Sequence, residues 1–302
     1  MPELPEVETI VSTLRPQISG TRVCGLEILA PKTVQGDKNL LVRALPGMTV
    51  GRVYRRAKLL LLECSRAESR KNMPDALVLA FHLKMTGSFF VHPADAVPLK
   101  HTRLVIDLES PAPPPAGGRK DGIHGRHSGK RRLFFDDVRT FGFCRPMLPE
   151  DMPHWEFWKK LGPEPLETSP EKLAEIFSGH GGGIKGLLLN QTVVAGIGNI
   201  YADESLFRAG IHPAAKAGAI PRARLLVLAK SLQTILKKSI KECGSSIRDY
   251  RDAFGNAGAF QNSFSVYSRG GKPCLHCSSS LQTMKTAGRT TTFCPRCQKR
   301  SW

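Results

Sequence analysis

The sequence has few acidic residues, and it lacks any long apolar run. Asp and Glu number 26 among 302 residues, against 44 Lys and Arg, so the formal net charge is +18. This imbalance predicts a polyanionic partner, of which nucleic acid is the commonest. A membrane surface is the competing partner. It is disfavoured because no long apolar span, signal peptide or lipidation motif is present.

Cysteine is sparse over most of the chain. Four cysteines are scattered singly in apolar or mixed contexts that are typical of buried thiols: Cys24, Cys64, Cys144 and Cys243. Buried single thiols predict a reducing compartment and therefore a cytoplasmic location. The hydrophobic fraction of 41% indicates a globular protein, and the length allows two or three domains.

Hydrophobic patterning predicts an α+β fold that starts with a helix and continues as an antiparallel β-sandwich or flattened barrel. Apolar residues at helical spacing predict an amphipathic helix after Pro5: Val7, Ile10, Val11, Leu14 and Ile18. Strand-like runs separated by turn residues follow: RVCGLEIL, TVGRVY, KLLLLEC, ALVLAFHL, SFFVH, RLVIDL, RRLFFDD and FGFCRPM. Together they predict an N-terminal domain over residues 1–149.

The rest of the chain divides by composition. Residues 110–130 are rich in Pro, Gly and basic residues, and we expect a surface insertion that is either solvated or touches DNA. Residues 155–243 predict a helical domain, with helices at SPEKLAEIF, IKGLLLNQ, NIYADESLFRAG and ARLLVLAKSLQTILKKSIKEC. Residues 244–265 have no clear period, and residues 266–300 carry paired cysteines.

Two Cys-x-x-Cys pairs have the spacing of a four-cysteine zinc site: Cys274, Cys277, Cys294 and Cys297. Disulfides or a redox pair are the alternatives. The spacer SSSLQTMKTAGRTTTF predicts two strands with a tight turn at 287–288, which makes a zinc hairpin. The site is expected to be structural, because four thiolates leave no position for water. Arg289 follows the turn, either as a solvated side chain or as a contact to phosphate.

Residues 184–211 predict two helices joined by a turn that contains Gly196 and Gly198. Asn199 is expected to cap the second helix, and exposed amides at a helix start bind phosphate. A plain helical corner is the alternative.

The amino terminus offers a nucleophile. Methionine before a small residue is normally removed, which would expose the nitrogen of Pro2. An α-amino group has a pKa of about 7.7–8.0, against about 10.4 for lysine, so a neutral fraction is available to attack a carbonyl-like carbon. The adjacent Glu3 could protonate a departing or ring oxygen, and Glu6 could orient the pair or anchor the helix start. An inert terminus is the alternative.

These features together resemble the bacterial formamidopyrimidine-DNA glycosylases, which are bifunctional enzymes that excise 8-oxoguanine and ring-opened purines. The matching stretches extend from the first residue almost to the last: MPELPEVET, RRAKLLLLE, HLKMTGSF, DVRTFG, LGPEPL, AGIGNIYADESLFRAGIHP, VYSRGGKPC and TTFCPRCQK. The resemblance implies a helix-two-turn-helix domain over residues 155–243, one structural Zn²⁺ and a double-stranded DNA partner with oxidised bases or abasic sites. It also implies a location in the bacterial cytoplasm, with association to the nucleoid through DNA. The sequence does not fix the oligomeric state, and a monomer is the default for this mode of binding.

The resemblance further implies roles for single residues. Pro2 would attack C1′ of the damaged nucleoside, and Glu3 would be the general acid. Lys58 would contact phosphate and transfer a proton in β-elimination, and Arg289 would assist δ-elimination. Asn199 would hold phosphates of the DNA, Lys185 would lie near the base pocket, and His101 would face the DNA. Three side chains would fill the gap left by a flipped nucleotide: Met85, Arg139 and Phe141.

Some positions depart from the family pattern. Lys84 stands where glycine or arginine is frequent, and Thr140 stands where a second arginine is common. Residues 178–183 replace a segment that often carries lysines, with His180 as a candidate substitute. Residues 244–265 align with the loop that closes over the flipped purine. Two other functions stay open: an oxidised-pyrimidine glycosylase of the same fold, and a noncatalytic zinc protein that binds DNA.

Overall fold

The computed structural model describes residues 1–110, 129–247 and 249–299, so most of the expected insertion at 110–130 lies outside the described residues. The chain divides into two compact units. The first comprises Met1–Pro2, Glu6–Trp155 and Ile247–Ala257, and the second comprises Glu3–Pro5, Glu156–Ser246 and Gly258–Trp302. Residues 244–265 are therefore shared between the two units.

The first unit is built on one eight-stranded antiparallel sheet. Each strand-like run of the sequence forms one of its strands: β1 (Arg22–Ile28), β2 (Thr49–Arg56), β3 (Leu59–Ser65), β4 (Ala76–His82), β5 (Gly87–Pro93), β6 (Thr102–Glu109), β7 (Lys130–Asp137) and β8 (Phe143–Met147). The strand order in the sheet is β5-β7-β6-β1-β2-β3-β4-β8.

The sheet closes over its own core. Phe81 on β4 packs edge to face against Phe89 on β5, with ring centroids 4.9 Å apart. Because β4 and β5 lie near opposite ends of the strand order, this contact requires the sheet to fold back on itself, as the predicted sandwich does. The helix α1 (Leu4–Ile18) covers this core with a fully buried apolar face: Val7, Ile10, Val11, Leu14 and Ile18.

One short helix of the first unit was not predicted. The helix α2 (Lys38–Ala44) begins after Asp37, whose side chain accepts a hydrogen bond from Leu40 N at 2.9 Å. Such an N-cap stabilises a helix start. Seven residues are too few for a helical period to stand out among strand-like runs, which is why the sequence pattern missed it.

The second unit contains the remaining helices and a separate hairpin. Its elements are α3 (Glu156–Lys159), α4 (Pro170–Ser178), α5 (Ile184–Leu189), α6 (Asn199–Arg208), α7 (Arg222–Lys241), β9 (Gln282–Thr286) and β10 (Arg289–Phe293). The apolar faces of α4, α6 and α7 share one buried core, and the hydroxyl groups of Tyr201 and Ser239 join α6 to α7 at 2.6 Å. The predicted turn at 287–288 is confirmed, since Ala287 and Gly288 both have positive φ.

The prediction that all single cysteines are buried was wrong for two of the four. Cys64 and Cys144 are buried, whereas Cys24 and Cys243 are exposed. Cys24 lies at an irregularity of β1, and Cys243 has φ +59° just after α7. Both stand where a regular element is interrupted, so strand or helix periodicity does not set their burial. Among the described helices, none is long and apolar enough to span a bilayer.

Candidate active site

Glu3 lies buried at the start of α6. Glu3 is 3% exposed, and its Oε1 accepts a hydrogen bond from Ile200 N at 3.1 Å. Ile200 is the second residue of α6, so this amide has no partner within the helix. The contact satisfies that donor, and the positive end of the helix dipole favours a carboxylate there.

Two glycines in the turn before α6 leave room for Glu3 and Leu4. Leu4 N donates to Gly196 O at 2.9 Å. A Cβ atom on Gly196 would lie 2.8 Å from Leu4 Cδ1, and one on Gly198 would lie 2.3 Å from Glu3 Cδ. Both separations are shorter than any normal Cβ contact, so glycine at these two positions is what lets the amino-terminal segment approach.

The sequence had predicted that Asn199 caps α6. In the structure Asn199 is instead the first residue of this helix. The cap position is Gly198, and it makes no side-chain capping bond. The Asn199 amide instead donates from Nδ2 to Thr290 O at 3.1 Å, while Oδ1 is buried without a hydrogen-bond partner among the described residues. Asn199 therefore ties the start of α6 to β10, next to the exposed Arg289.

Lys185 and Asp203 form a fully buried ion pair. Lys185 Nζ lies 2.6 Å from Asp203 Oδ1, and the side chains are 0% and 1% exposed. Nζ also contacts Thr291 Oγ1 at 2.5 Å, and Thr292 N donates to Asp203 Oδ2 at 3.2 Å. Burial lowers the pKa of Lys185 and raises that of Asp203, and their mutual attraction opposes both shifts.

The resemblance implied a base pocket near Lys185. In the structure this ammonium group has no exposed surface. It connects α5 with α6 and with β10. Asp203, its partner, was not singled out from the sequence, because a carboxylate inside a helix carries no local signal of burial.

The four paired cysteines form a cluster with the geometry of a metal site. Their sulfur atoms all lie within 4.8 Å of one another. Four thiolates around Zn²⁺ at about 2.3 Å would stand about 3.8 Å apart, which the cluster fits. Cys277 Sγ and Cys294 Sγ are 3.4 Å apart, beyond the about 2.05 Å of a disulfide bond. Gln298 anchors the cluster by accepting from Cys294 N and donating to Ile211 O, each at 2.9 Å.

The first unit holds Pro2 and Lys58, both of which are buried. Lys58 is 7% exposed and lies in the turn between β2 and β3, after Ala57 with φ +55°. His82, the last residue of the neighbouring strand β4, is a buried residue that the sequence analysis did not single out. Burial, together with the positive charges of Lys84 and Lys58, lowers the pKa of His82 to about 3, so its imidazole is neutral. Its Nδ1 accepts a hydrogen bond from Lys84 N at 3.0 Å.

Met85, Arg139 and Phe141 form an exposed cluster in the first unit. Met85 is 43% and Phe141 54% exposed, although large apolar side chains are usually buried. Arg139 lies between them, with Nη1 3.0 Å from Met85 Sδ and its guanidinium 5.0 Å from the Phe141 ring centroid. The Asp137 carboxylate fixes the backbone of this cluster by accepting from Gly142 N at 2.6 Å and Arg139 N at 3.2 Å.

The remaining predicted residues of the first unit are His101 and Glu6. His101 is half-buried in the turn before β6, and its carbonyl accepts from Asp137 N at 2.9 Å. Glu6 is 2% exposed in the first turn of α1, and its carbonyl accepts from the Tyr250 hydroxyl at 3.3 Å. Tyr250 belongs to the part of residues 244–265 that groups with the first unit.

Family models match three successive parts of the chain. They are the formamidopyrimidine-DNA glycosylase N-terminal domain over residues 1–144, the formamidopyrimidine-DNA glycosylase H2TH domain over residues 161–251, and the zinc finger found in FPG and IleRS over residues 271–300. The three matches follow the order of the sheet, the helices and the hairpin.

Individual relatives and solved structures agree with these matches. Formamidopyrimidine-DNA glycosylases of Nitratidesulfovibrio vulgaris and Desulforamulus reducens are 40% and 37% identical, over 99% of this chain and 100% and 99% of theirs. A Lactococcus lactis FPG mutant in complex with DNA containing Fapy-dG is 33% identical, with a TM-score of 0.84 over 99% of this chain and 100% of that one. MutM in complex with DNA containing carbocyclic 8-oxo-G gives a TM-score of 0.83, also at 33% identity and with the same coverage. The chain therefore belongs to the formamidopyrimidine-DNA glycosylase family.

Proposed function

We propose that this chain is a bifunctional DNA glycosylase and abasic-site lyase that excises oxidised purines from double-stranded DNA. The substrates are 8-oxoguanine and formamidopyrimidines. The observation that carries the proposal is the buried Glu3 carboxylate, which is held on Ile200 N directly after Pro2 in the chain. A module that only binds DNA has no use for an amino-terminal amine next to a fixed buried acid.

In the proposed reaction Met1 is removed and the Pro2 nitrogen attacks C1′ of the damaged nucleoside. A bond forms between this nitrogen and C1′ as the bond from C1′ to the base breaks, and the departing base takes up the proton that the nitrogen loses. Glu3 acts in its protonated form: it donates its proton to the sugar ring oxygen, so that the ring opens and an iminium remains on Pro2. The iminium accepts the electron pair that the following steps release.

The strand is then cut on both sides of the sugar. Lys58 takes part in proton transfer during β-elimination, and Arg289 assists δ-elimination from the tip of the hairpin. The two eliminations release the phosphates on either side and leave a one-nucleotide gap. Each role is proposed from the match of these positions to the family motifs.

The proposed DNA contacts use charge and an exposed wedge. A net charge of +18 supports binding to the phosphate backbone. Asn199 would hold phosphates and His101 would face the DNA. Met85, Arg139 and Phe141 would occupy the gap that a flipped nucleotide leaves. The exposure of the two apolar side chains supports this, because exposed apolar groups beside a cation are suited to unstacked bases.

We also propose a structural zinc ion, held by the four cysteines, and a monomeric protein of the cytoplasm that reaches the nucleoid by binding DNA. Residues 1–149, 155–243 and 266–300 would be the catalytic, helix-two-turn-helix and zinc-finger domains, with residues 244–265 as the loop over the lesion. Metal analysis of the purified protein is expected to find one zinc per chain.

A second candidate function is the excision of oxidised pyrimidines. Wild-type Lactococcus lactis FPG has been solved in complex with DNA containing an oxidised pyrimidine, at a TM-score of 0.82 and 32% identity over 99% of this chain and 100% of that one. Excision should be compared on duplexes with 8-oxoguanine opposite cytosine and with thymine glycol. We expect faster excision of 8-oxoguanine, and a preference for thymine glycol would contradict the assignment.

Borohydride reduction tests whether the protein is an enzyme of this mechanism. Reduction of the iminium on a lesion-bearing duplex is expected to leave a covalent complex of protein and DNA. Pro2→Gly should trap far less, although it should still bind the duplex. If wild-type protein forms no adduct while it binds DNA, the noncatalytic function is correct and this proposal is wrong.

A further inference from the structure

The turn that leads into α6 is held on two sides. On one side it contacts the amino-terminal segment, since Leu4 N donates to Gly196 O, and the adjoining first turn of α6 donates from Ile200 N to Glu3 Oε1. On the other side it contacts Gln191, a half-buried residue in the loop after α5. This turn, residues 196–198, therefore lies between one glutamine side chain and the segment that carries the proposed acid.

Gln191 uses both ends of its side-chain amide on the backbone. Its Oε1 accepts from Gly196 N at 2.9 Å, and its Nε2 donates to Ile197 O at 2.8 Å and to Leu189 O at 3.0 Å. An amide offers one carbonyl acceptor and two N–H donors, so these three bonds use all of its hydrogen atoms. The side chain thereby joins the end of α5 to the turn before α6.

Gly196 connects the two sides of the turn. Its N–H binds Gln191, and its C=O accepts from Leu4 N. The φ of Gly196 is +85°, which favours glycine, and Leu4 packs so closely that a Cβ atom would overlap it. A change in the orientation of the Gly196 peptide would therefore move Leu4, the residue next to Glu3.

We propose that Gln191 is a positioning residue for Glu3, the proposed acid. It holds residues 196–198 in the arrangement that keeps Glu3 on Ile200 N and Leu4 on Gly196 O. It acts through the turn and contacts neither DNA nor the reacting atoms. This inference rests on the proposed function, since it assigns a role in the same reaction.

Gln233 provides a matched control in the same unit. It is also half-buried, and its Nε2 also donates to two backbone carbonyls, Pro165 O at 2.8 Å and Thr168 O at 2.7 Å. None of its hydrogen bonds in the described part of the chain reaches Glu3, Leu4 or the turn. Replacing either glutamine with methionine removes side-chain hydrogen bonds to the backbone while keeping a side chain of similar length.

The experiment compares Gln191→Met, Gln233→Met and wild type as full-length proteins. Three quantities are measured: the thermal midpoint, the Kd for a duplex with a tetrahydrofuran abasic analogue, and the single-turnover rate of adduct trapping on an 8-oxoguanine duplex. We expect similar thermal midpoints in the two variants and a Kd close to wild type in both. Gln191→Met should slow single turnover on the order of 10²-fold, because misplacement of reacting groups by about 1 Å has that effect.

Gln191→Glu is the second variant, because it keeps the acceptor for Gly196 N but sets a carboxylate oxygen against the carbonyl oxygens of Ile197 and Leu189. We expect a rate no higher than that of Gln191→Met, and this variant decides the question if the methionine variant does not fold. A Gln191 variant whose rate equals that of Gln233→Met, or whose rate loss equals its loss in DNA affinity, would overturn the inference. Failure of wild type to form any adduct would refute the proposed function instead, so the two failures are distinguishable.

Discussion

Replacement of Gly198 with alanine tests directly whether the position of Glu3 controls base excision. Gly198 has φ −133° and ψ −159°, an extended conformation that alanine adopts readily. The substitution therefore introduces no backbone strain. The new Cβ atom would instead lie 2.3 Å from Glu3 Cδ and 2.4 Å from Oε1, so the carboxyl group is what must move.

The size of the effect follows from these distances. Ordinary contact to a Cβ atom begins near 3.4 Å, which is 1.1 Å beyond the 2.3 Å separation. Glu3 must shift by roughly that amount, and it then no longer accepts from Ile200 N in the same geometry. A misplacement of about 1 Å lowers the rate on the order of 10²-fold, equivalent to about 2.7 kcal/mol of activation free energy.

Single-turnover excision of 8-oxoguanine is the assay, with Kd for the same duplex measured in parallel. Gly186→Ala is the matched control: its Cβ atom would stand 3.7 Å from Ala287 Cβ, an ordinary contact, inside α5. We expect Gly198→Ala to bind DNA and excise slowly, and Gly186→Ala to excise at the wild-type rate. Wild-type excision by Gly198→Ala would refute the assignment of Glu3 as a positioned acid.

Three further predictions concern charged groups. Asp203→Asn leaves the buried Lys185 ammonium without its counter-ion and should lower the free energy of unfolding, measured by urea titration, by about 3–5 kcal/mol. The double variant Lys185→Met with Asp203→Leu should lose far less stability. Equal stability of Asp203→Asn and wild type would contradict this. Arg289→Gln should reduce the slope of log affinity for DNA against log salt concentration by about 1, and an unchanged slope would exclude a phosphate contact. The His82 imidazole should show no NMR titration between pH 5 and 8, because its pKa is lowered to about 3. Since unfolding returns that pKa to 6.5, His82 should reduce stability as pH falls below 6.5, and a midpoint near 6.5 in the folded protein would contradict its burial.

Local patterns predicted most of the elements of the fold. Each strand-like run became a strand, the spacing of the cysteines predicted the four-thiol cluster, and the residues between the cysteine pairs predicted its hairpin. These features depend on alternation and turn chemistry within a few residues, which a sequence displays directly. The short helix α2 was missed, because one capping residue, Asp37, was its main local signal.

The contacts around the candidate acid could not be predicted in this way. Glu3 and Ile200 are 197 positions apart in sequence, and nothing local indicates that the amino terminus caps α6. For the same reason the sequence does not show why position 198 must be glycine. The requirement arises from the close approach of Glu3 and not from the turn itself. The buried ion pair between Lys185 and Asp203 was also beyond local patterns, because the two residues lie on different helices.

The identity of the residue that carries the adduct tests the account most directly. Wild-type protein is reduced with borohydride on an 8-oxoguanine duplex, the DNA is digested, and the modified peptide is found by mass spectrometry. We predict that the sugar remnant lies on the nitrogen of Pro2, in an amino-terminal peptide that lacks Met1. A remnant on Lys58 or on another lysine, with Pro2 unmodified, would contradict the mechanism.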